Sequence, residues 1–168
     1  VEKSFPLHWH YYSEILYIRK GRLRLICNER SYILEEHDLC YIYPLQLHEI
    51  QLISDDAEHA VIKFDIHTVH IPEAFLWRIY AYFVQKTSSN DDCILIKNIK
   101  LLHPELPTLI YRTVVEIENP SELSTLQIQA NLFGILIAIV RSSNKEIEGN
   151  EKEHTDTTLS FHHILEYI

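Results

Sequence analysis

From Phe5 to Asp65 the chain runs in short stretches rich in Tyr, Ile, Leu and Val, separated by polar breaks, and none is long enough for an amphipathic helix. The spacing predicts strands over Glu14–Lys20, Arg22–Cys27, Ser31–Leu34, Asp38–Tyr43, His48–Ile53 and His59–Asp65, arranged as an antiparallel sandwich or barrel. Lys20-Gly21 and Asn28-Glu29 stand where tight hairpin turns are needed. After Pro72 the period lengthens to that of a helix. Phe75, Ile79, Tyr82 and Phe83 share a face over Glu73–Gln85, and Leu109, Ile110, Thr113, Val114 and Ile117 share one over Pro107–Glu118. A third helix is expected to open at Ser121, whose hydroxyl can cap free amides, and to run to Arg141 with Leu126, Ala130, Phe133, Ile137 and Val140 buried. The last two helices would form an antiparallel hairpin around Asn119-Pro120.

This pattern divides the chain into a β part, residues 1–72, and a helical part, residues 73–141, expected to pack on it and to offer a dimer interface. Residues 142–157 are polar and charged and read as a linker. Residues 158–168 are apolar again and read as the start of a further helix, and so as the approach to a second domain. The 168 residues suffice for one domain with a full core.

Composition narrows the function classes. Apolar residues make up 46% and charged residues 23%, which fits a folded globular domain rather than a disordered chain. The longest apolar run, Phe133 to Val140, is far short of the roughly 20 residues that cross a bilayer, and no export signal precedes the strands. A cytoplasmic protein with no membrane partner is expected. Lys plus Arg number 15 against 24 Asp plus Glu, a net charge of -9 that would repel a phosphate backbone. Cys27, Cys40 and Cys93 are scattered and read as buried thiols in a reducing compartment. The chain holds no methionine, so Val1 is not expected to be the natural first residue.

The most specific chemistry is His8-x-His10-x-x-x-Glu14, with His48 after Pro44. If His8 to Glu14 form a strand, His8, His10, Tyr12 and Glu14 project to one side, and His48 can join them from a neighbouring strand. Three imidazoles and a carboxylate suit a divalent transition metal; the alternative is a polar lining that hydrogen-bonds a ligand or water. Arg22 and Arg24 alternate on one strand and either clamp a carboxylate or form a solvated face. Tyr11, Tyr12, Tyr17, Tyr32, Tyr41, Tyr43 and Trp9 make the β half unusually aromatic, suited to stacking on a planar metabolite or to core packing. The candidate effector site is therefore His8, His10, Tyr12, Glu14, Arg24, Tyr43 and His48, with His8, His10, Glu14 and His48 as candidate metal ligands. His37, His59, His67, His70 and His103 read as surface or capping residues.

The run H-x-H, three residues, E, six residues, Gly21 resembles the first cupin motif, and Asp38 to Pro44 leading to His48 resembles the second. More broadly, Phe5 to Ile50 is similar to the N-terminal domain of AraC-type transcription regulators, and the closing ILEYI resembles the run into that family's helix-turn-helix domain. His37 stands where glycine is usual, and Leu45-Gln46-Leu47 where small residues are common. The resemblance implies a mainly β fold with α, a cupin double-stranded β-helix barrel followed by an antiparallel helical hairpin. It implies a bacterial, non-enzymatic sensor that binds a small-molecule effector, a sugar or other small metabolite, dimerises with itself and reaches DNA only through a C-terminal domain outside this chain. The rival is a metal-dependent cupin enzyme, a dioxygenase or isomerase.

Overall fold

A computed structural model describes residues 4–85 and 93–148. Seven strands come first, at Ser4–His8 (β1), Ser13–Lys20 (β2), Arg22–Cys27 (β3), Arg30–Glu35 (β4), Leu39–Ile42 (β5), His48–Leu52 (β6) and Glu58–Phe64 (β7). Helix α1 (Glu73–Gln85), strand β8 (Ile94–Ile96) and helices α2 (Ile99–Leu102), α3 (Leu106–Glu118) and α4 (Ser124–Glu148) follow. The strands form two antiparallel four-stranded sheets, sheet 1 in the order β1-β6-β3-β4 and sheet 2 in the order β7-β2-β5-β8.

Three layers result. Leu23, Leu25 and Cys27 of β3 and Leu34 of β4 meet Leu16, Ile18, Cys40 and Ile42 of sheet 2, and together they fill the barrel between the sheets. The opposite face of sheet 2, with Ile15, Tyr17, Tyr41, Ile62 and Phe64, packs against Ile79, Phe83, Ile110, Leu132, Ile135, Leu136 and Ile139 of the helices. Sheet 2 is thus apolar on both faces, which is why β2 is buried from Ser13 to Ile18 and β5 throughout. Among the described residues sheet 1 is covered on one side only, and β3 alternates arginine outward with leucine inward.

The turns follow their residues. Gly21 sits at φ 73, where an added Cβ would fall 2.4 Å from Ser54 Oγ and 2.9 Å from Ala57 Cα, so only glycine fits. Asn28 (φ 45) and Glu29 (φ 75) are both left-handed, as a two-residue hairpin requires. His37, at φ 71, keeps the turn in which glycine would be the unstrained choice. The Asp38 carboxylate then stitches the fold: it accepts from Glu35 N at 2.8 Å, Asn98 N at 3.0 Å and Lys97 Nζ at 2.7 Å. Lys97 also donates to Ile33 O of β4 at 2.8 Å, joining the sheets along the β4/β8 side.

Several expectations need correction. The β part does not end at residue 72, because β8 returns to pair with β5 after α1. Helix α4 opens at Ser124 rather than Ser121 and continues to Glu148, so 142–148 are helix and not linker. No glycine or proline interrupts that stretch, and a helix already nucleated extends until a breaker stops it. Leu126, expected in the core, is 67% exposed, and the stripe that packs inward is Leu132, Ile135, Leu136 and Ile139. On α3, Ile110 and Thr113 are buried while Ile117 is exposed. By length and composition Ser124–Ser142 could cross a membrane, but its apolar stripe is part of the helix-facing core. The expected linker beyond Glu148 and the helix start at 158–168 lie outside the described residues.

Candidate functional site

His8, His10, Glu14 and His48 converge, though not as one strand would bring them together. Strand β1 ends at His8, the chain turns through residues 9–12, and β2 begins at Ser13 in the other sheet. His8 pairs with His48 across β1 and β6, His10 stands in the turn, and Glu14 projects from β2 between the sheets. The ring centroids of His8 and His48 lie 4.3 Å apart, those of His10 and His48 5.1 Å, and those of His8 and His10 5.8 Å. Leu45-Gln46-Leu47 does not displace His48: Leu45 takes φ 66 with its amide on His10 O at 2.8 Å, and Gln46 Oε1 accepts from Tyr43 N at 2.9 Å.

Each imidazole is oriented in the same way. The Nδ1 atoms lie against backbone carbonyls, His8 on Pro6 O at 2.8 Å, His10 on Tyr12 O at 2.9 Å and His48 on Gln46 O at 2.8 Å. A carbonyl only accepts, so each Nδ1 carries a proton and each Nε2 is left to face the site. One ligand atom from each of the three histidines lies within 4.8 Å of the others. Glu14 Oε2 accepts from His10 Nε2 at 2.9 Å and lies 3.3 Å from Lys63 Nζ and 3.8 Å from His48 Nε2. Burial by itself would raise the Glu14 carboxyl, but His48, His10 and Lys63 outweigh it and bring it down to about 2.

Of these residues His8, Glu14 and Lys63 open onto a cavity of about 310 Å³ at the seam between the two sheets, where edge strand β1 faces edge strand β7. Phe5 and His8 of β1, Ile50 of β6 and Val61 and Lys63 of β7 line it with Glu14. Phe5 meets His59 edge-on across the seam at 5.7 Å. Burial holds His59 below the ordinary imidazole range, with Glu14 opposing. Lys63 and His59 were missed in the sequence, although they alternate with the inward Val61 along β7 and so share its face.

Three other predicted residues do not join the cluster. Tyr12 lies in the turn and is 53% exposed. Arg24 points outward from β3 and reaches Gln51 Oε1 at 3.4 Å, because the leucines beside it take the barrel side. Tyr43 is buried in the helix-facing layer against Tyr41, ring centroids 5.1 Å apart, and not in the barrel.

The family model of the AraC-like ligand binding domain matches residues 2–136. The chain belongs to that family. Among solved structures, the AraC-like domain is similar to apo ToxT from Vibrio cholerae, with TM-score 0.51 and 14% identity over 93% of this chain and 55% of that one. Unsaturated-fatty-acid-bound ToxT gives 0.49 and 14% over 84% and 50%, and a Cupin 2 conserved barrel protein from Salinispora arenicola 0.34 and 21% over 38% and 55%. At such identities the likeness bears on the fold alone, and only the first score supports it. The AraC-like domain spans about half the length of the ToxT chain. A comparison with curated proteins returns no match. The AraC-like domain is thus a ligand-binding domain built on two four-stranded antiparallel sheets.

Proposed function

We propose that this domain senses its effector in the β1/β7 seam and passes the signal to a DNA-binding domain outside the described residues. The observation that carries this is the cavity itself, where an apolar wall of Phe5, Ile50 and Val61 faces the polar cluster of His8, Glu14 and Lys63. A sugar or other small polar metabolite would find both a face to stack on and charged groups to orient its hydroxyls. A chain of net charge -9 would not hold DNA itself, so DNA contact falls to the further domain, in the bacterial cytoplasm. Exposed Tyr111 and Ile117 on α3 and Leu123 and Leu126 beside and on α4 support a homodimer through the helices. The test is a thermal-shift screen of sugars and small metabolites, followed by sedimentation with any hit. An effector at 100 times its Kd would stabilise the domain by about 2.7 kcal/mol, and Ile50→Phe, which adds volume inside the seam, should abolish the shift. A full shift in that variant removes the seam as the site, and a strict monomer removes the dimer.

The donor set fits a divalent transition metal. Among the described residues His48 Nε2 is buried with no hydrogen-bond partner, a state that a metal would relieve. His8, His10 and His48 would hold it, with Glu14 as a fourth donor, and the metal would supply Lewis acidity for an oxygen-bearing ligand. The shared donation of Nδ1 to carbonyls is the usual support for imidazole ligands. Metal analysis of protein purified without chelator or affinity nickel is expected to find about one ion per chain, falling at least about tenfold in His10→Ala. The three convergent nitrogens also favour a second reading, a metal-dependent cupin enzyme of the dioxygenase or isomerase kind. Turnover of a small organic substrate that is lost with the metal would select that reading, and effector-dependent DNA binding by the full-length protein would select the first.

A further inference from the structure

A second cavity, about 450 Å³ in volume, lies on the other side of sheet 2. Ala60 and Val61 of β7 and Ile110 and Val114 of α3 give it an apolar lining, and the volume is in the range of about 300–1,000 Å³ usual for small-molecule sites. Its polar side chains are not distributed evenly. Tyr17, Arg19 and His37 belong to sheet 2 and its adjoining turn, while Glu118 stands at the C-terminal end of α3, eleven residues or about 16 Å from Pro107 along the helix.

His37 is the informative residue. Its backbone has φ 71, which glycine adopts without penalty and histidine does not. The backbone bonds of this turn, His37 N to Ile18 O at 2.8 Å and Ile99 N to His37 O at 2.9 Å, need no side chain. The imidazole is nevertheless fixed in place, 2.8 Å from the Tyr17 hydroxyl through Nδ1 and 3.2 Å from Lys100 Nζ through Nε2. Glu36 lies 3.4 Å from that second nitrogen. Lys100 Nζ is the nearer partner and only donates, so Nε2 accepts from it and Nδ1 carries the proton, which it donates to the Tyr17 oxygen. The Tyr17 O–H is then left to donate to something else. A strained backbone that holds a donor relay against a cavity is a reason to look for a ligand there. Arg19 adds a second donor: its guanidinium is 3.8 Å from Glu58, both are more than half exposed, and so loose a pair exchanges readily.

We propose that this groove is a second small-molecule site, taking a monocarboxylate with an apolar body. The carboxylate accepts from Tyr17 and Arg19, and the body lies along Ala60, Val61, Ile110 and Val114. Glu118 disfavours a second negative charge at the far end. The ligand would bridge sheet 2 and α3, and because α3 packs on α4 it would bias the helical hairpin directly. His59 and Val61 line both cavities, so the two lie on either side of β7.

The test is calorimetric titration of the whole chain with a series of ω-phenylalkanoates of increasing length and with the matching alcohols. Acids are expected to bind at least about tenfold more tightly than alcohols, a difference of about 1.4 kcal/mol. Tyr17→Phe and Arg19→Gln should each remove that preference and leave alcohol binding unchanged. His37→Gly should weaken the acid at least about tenfold without lowering Tm, since glycine relieves the turn; a merely structural histidine would show the reverse. Ile50→Phe, confined to the seam, should leave acid binding intact, which separates this site from the barrel site. The proposal is overturned if no acid in the series binds below millimolar concentration. It is overturned equally if Ile50→Phe abolishes binding while Tyr17→Phe preserves it.

Discussion

Tyr41→Ala is expected to lower the unfolding free energy by about 3–5 kcal/mol, the range for removing a large buried aromatic ring. Tyr41 on β5 is 1% exposed and lies where sheet 2 meets the helices. Its ring centroid is 4.6 Å from Phe83 of α1, 5.1 Å from Tyr43 and 6.4 Å from Phe64 of β7. Its hydroxyl donates to Ser13 Oγ at 2.7 Å, so deletion empties a junction between three elements and strands a buried serine. Burial pushes the phenol from its ordinary 10.0 up to about 12, against the opposing hydrogen bond to Ser13. The folded state therefore prefers the neutral form. Its contribution is fully present below about pH 10 and is lost as pH rises through about 12, roughly 3 kcal/mol in all. Urea melts across that interval should fall steeply for the wild type and less so for Tyr41→Phe, which has no phenol to ionise. Equal slopes would show that Tyr41 does not carry the alkaline loss.

Glu14→Ala should cost about 3–5 kcal/mol, because it removes the buried carboxylate on which His10 Nε2 and Lys63 Nζ converge beside His48. The carboxyl gives the same scale: lowered from 4.5 to about 2 in the folded state, it contributes roughly 3 kcal/mol. For an acid with a depressed folded value that contribution is present above about pH 4.5 and is lost as pH falls through about 2. Acid unfolding followed by circular dichroism should be shallower in Glu14→Gln than in the wild type over that interval. A variant as acid-sensitive as the parent would mean that Glu14 is not the linked group.

Six strands, the α1 boundaries and both hairpin turns were legible from residue pattern, because β3, β4 and β7 alternate and Gly21 and Asn28 suit the left-handed φ of the turns. β8 was not, since three residues are too few to show a period, and its place was decided by pairing with β5. The convergence of His8, His10, Glu14 and His48 could be read from spacing, but for an incomplete reason: the chain changes sheets between His10 and Glu14, and the site is a corner rather than a strand face.

The order of parts, the strand parity, and a histidine and carboxylate cluster beside a barrel could all be read along the chain. Tertiary structure alone decided which face of each strand is the barrel side. Sheet 2 is buried on both faces, so Tyr17, Tyr41 and Tyr43 carry no polar alternation to show that they face the helices. It also turned two histidines read as surface residues into cavity walls. His37 lines the outer groove, and His59 stands between that groove and the seam. Spacing along one chain cannot show this, because each cavity is made by elements that meet only after both sheets and α3 have packed.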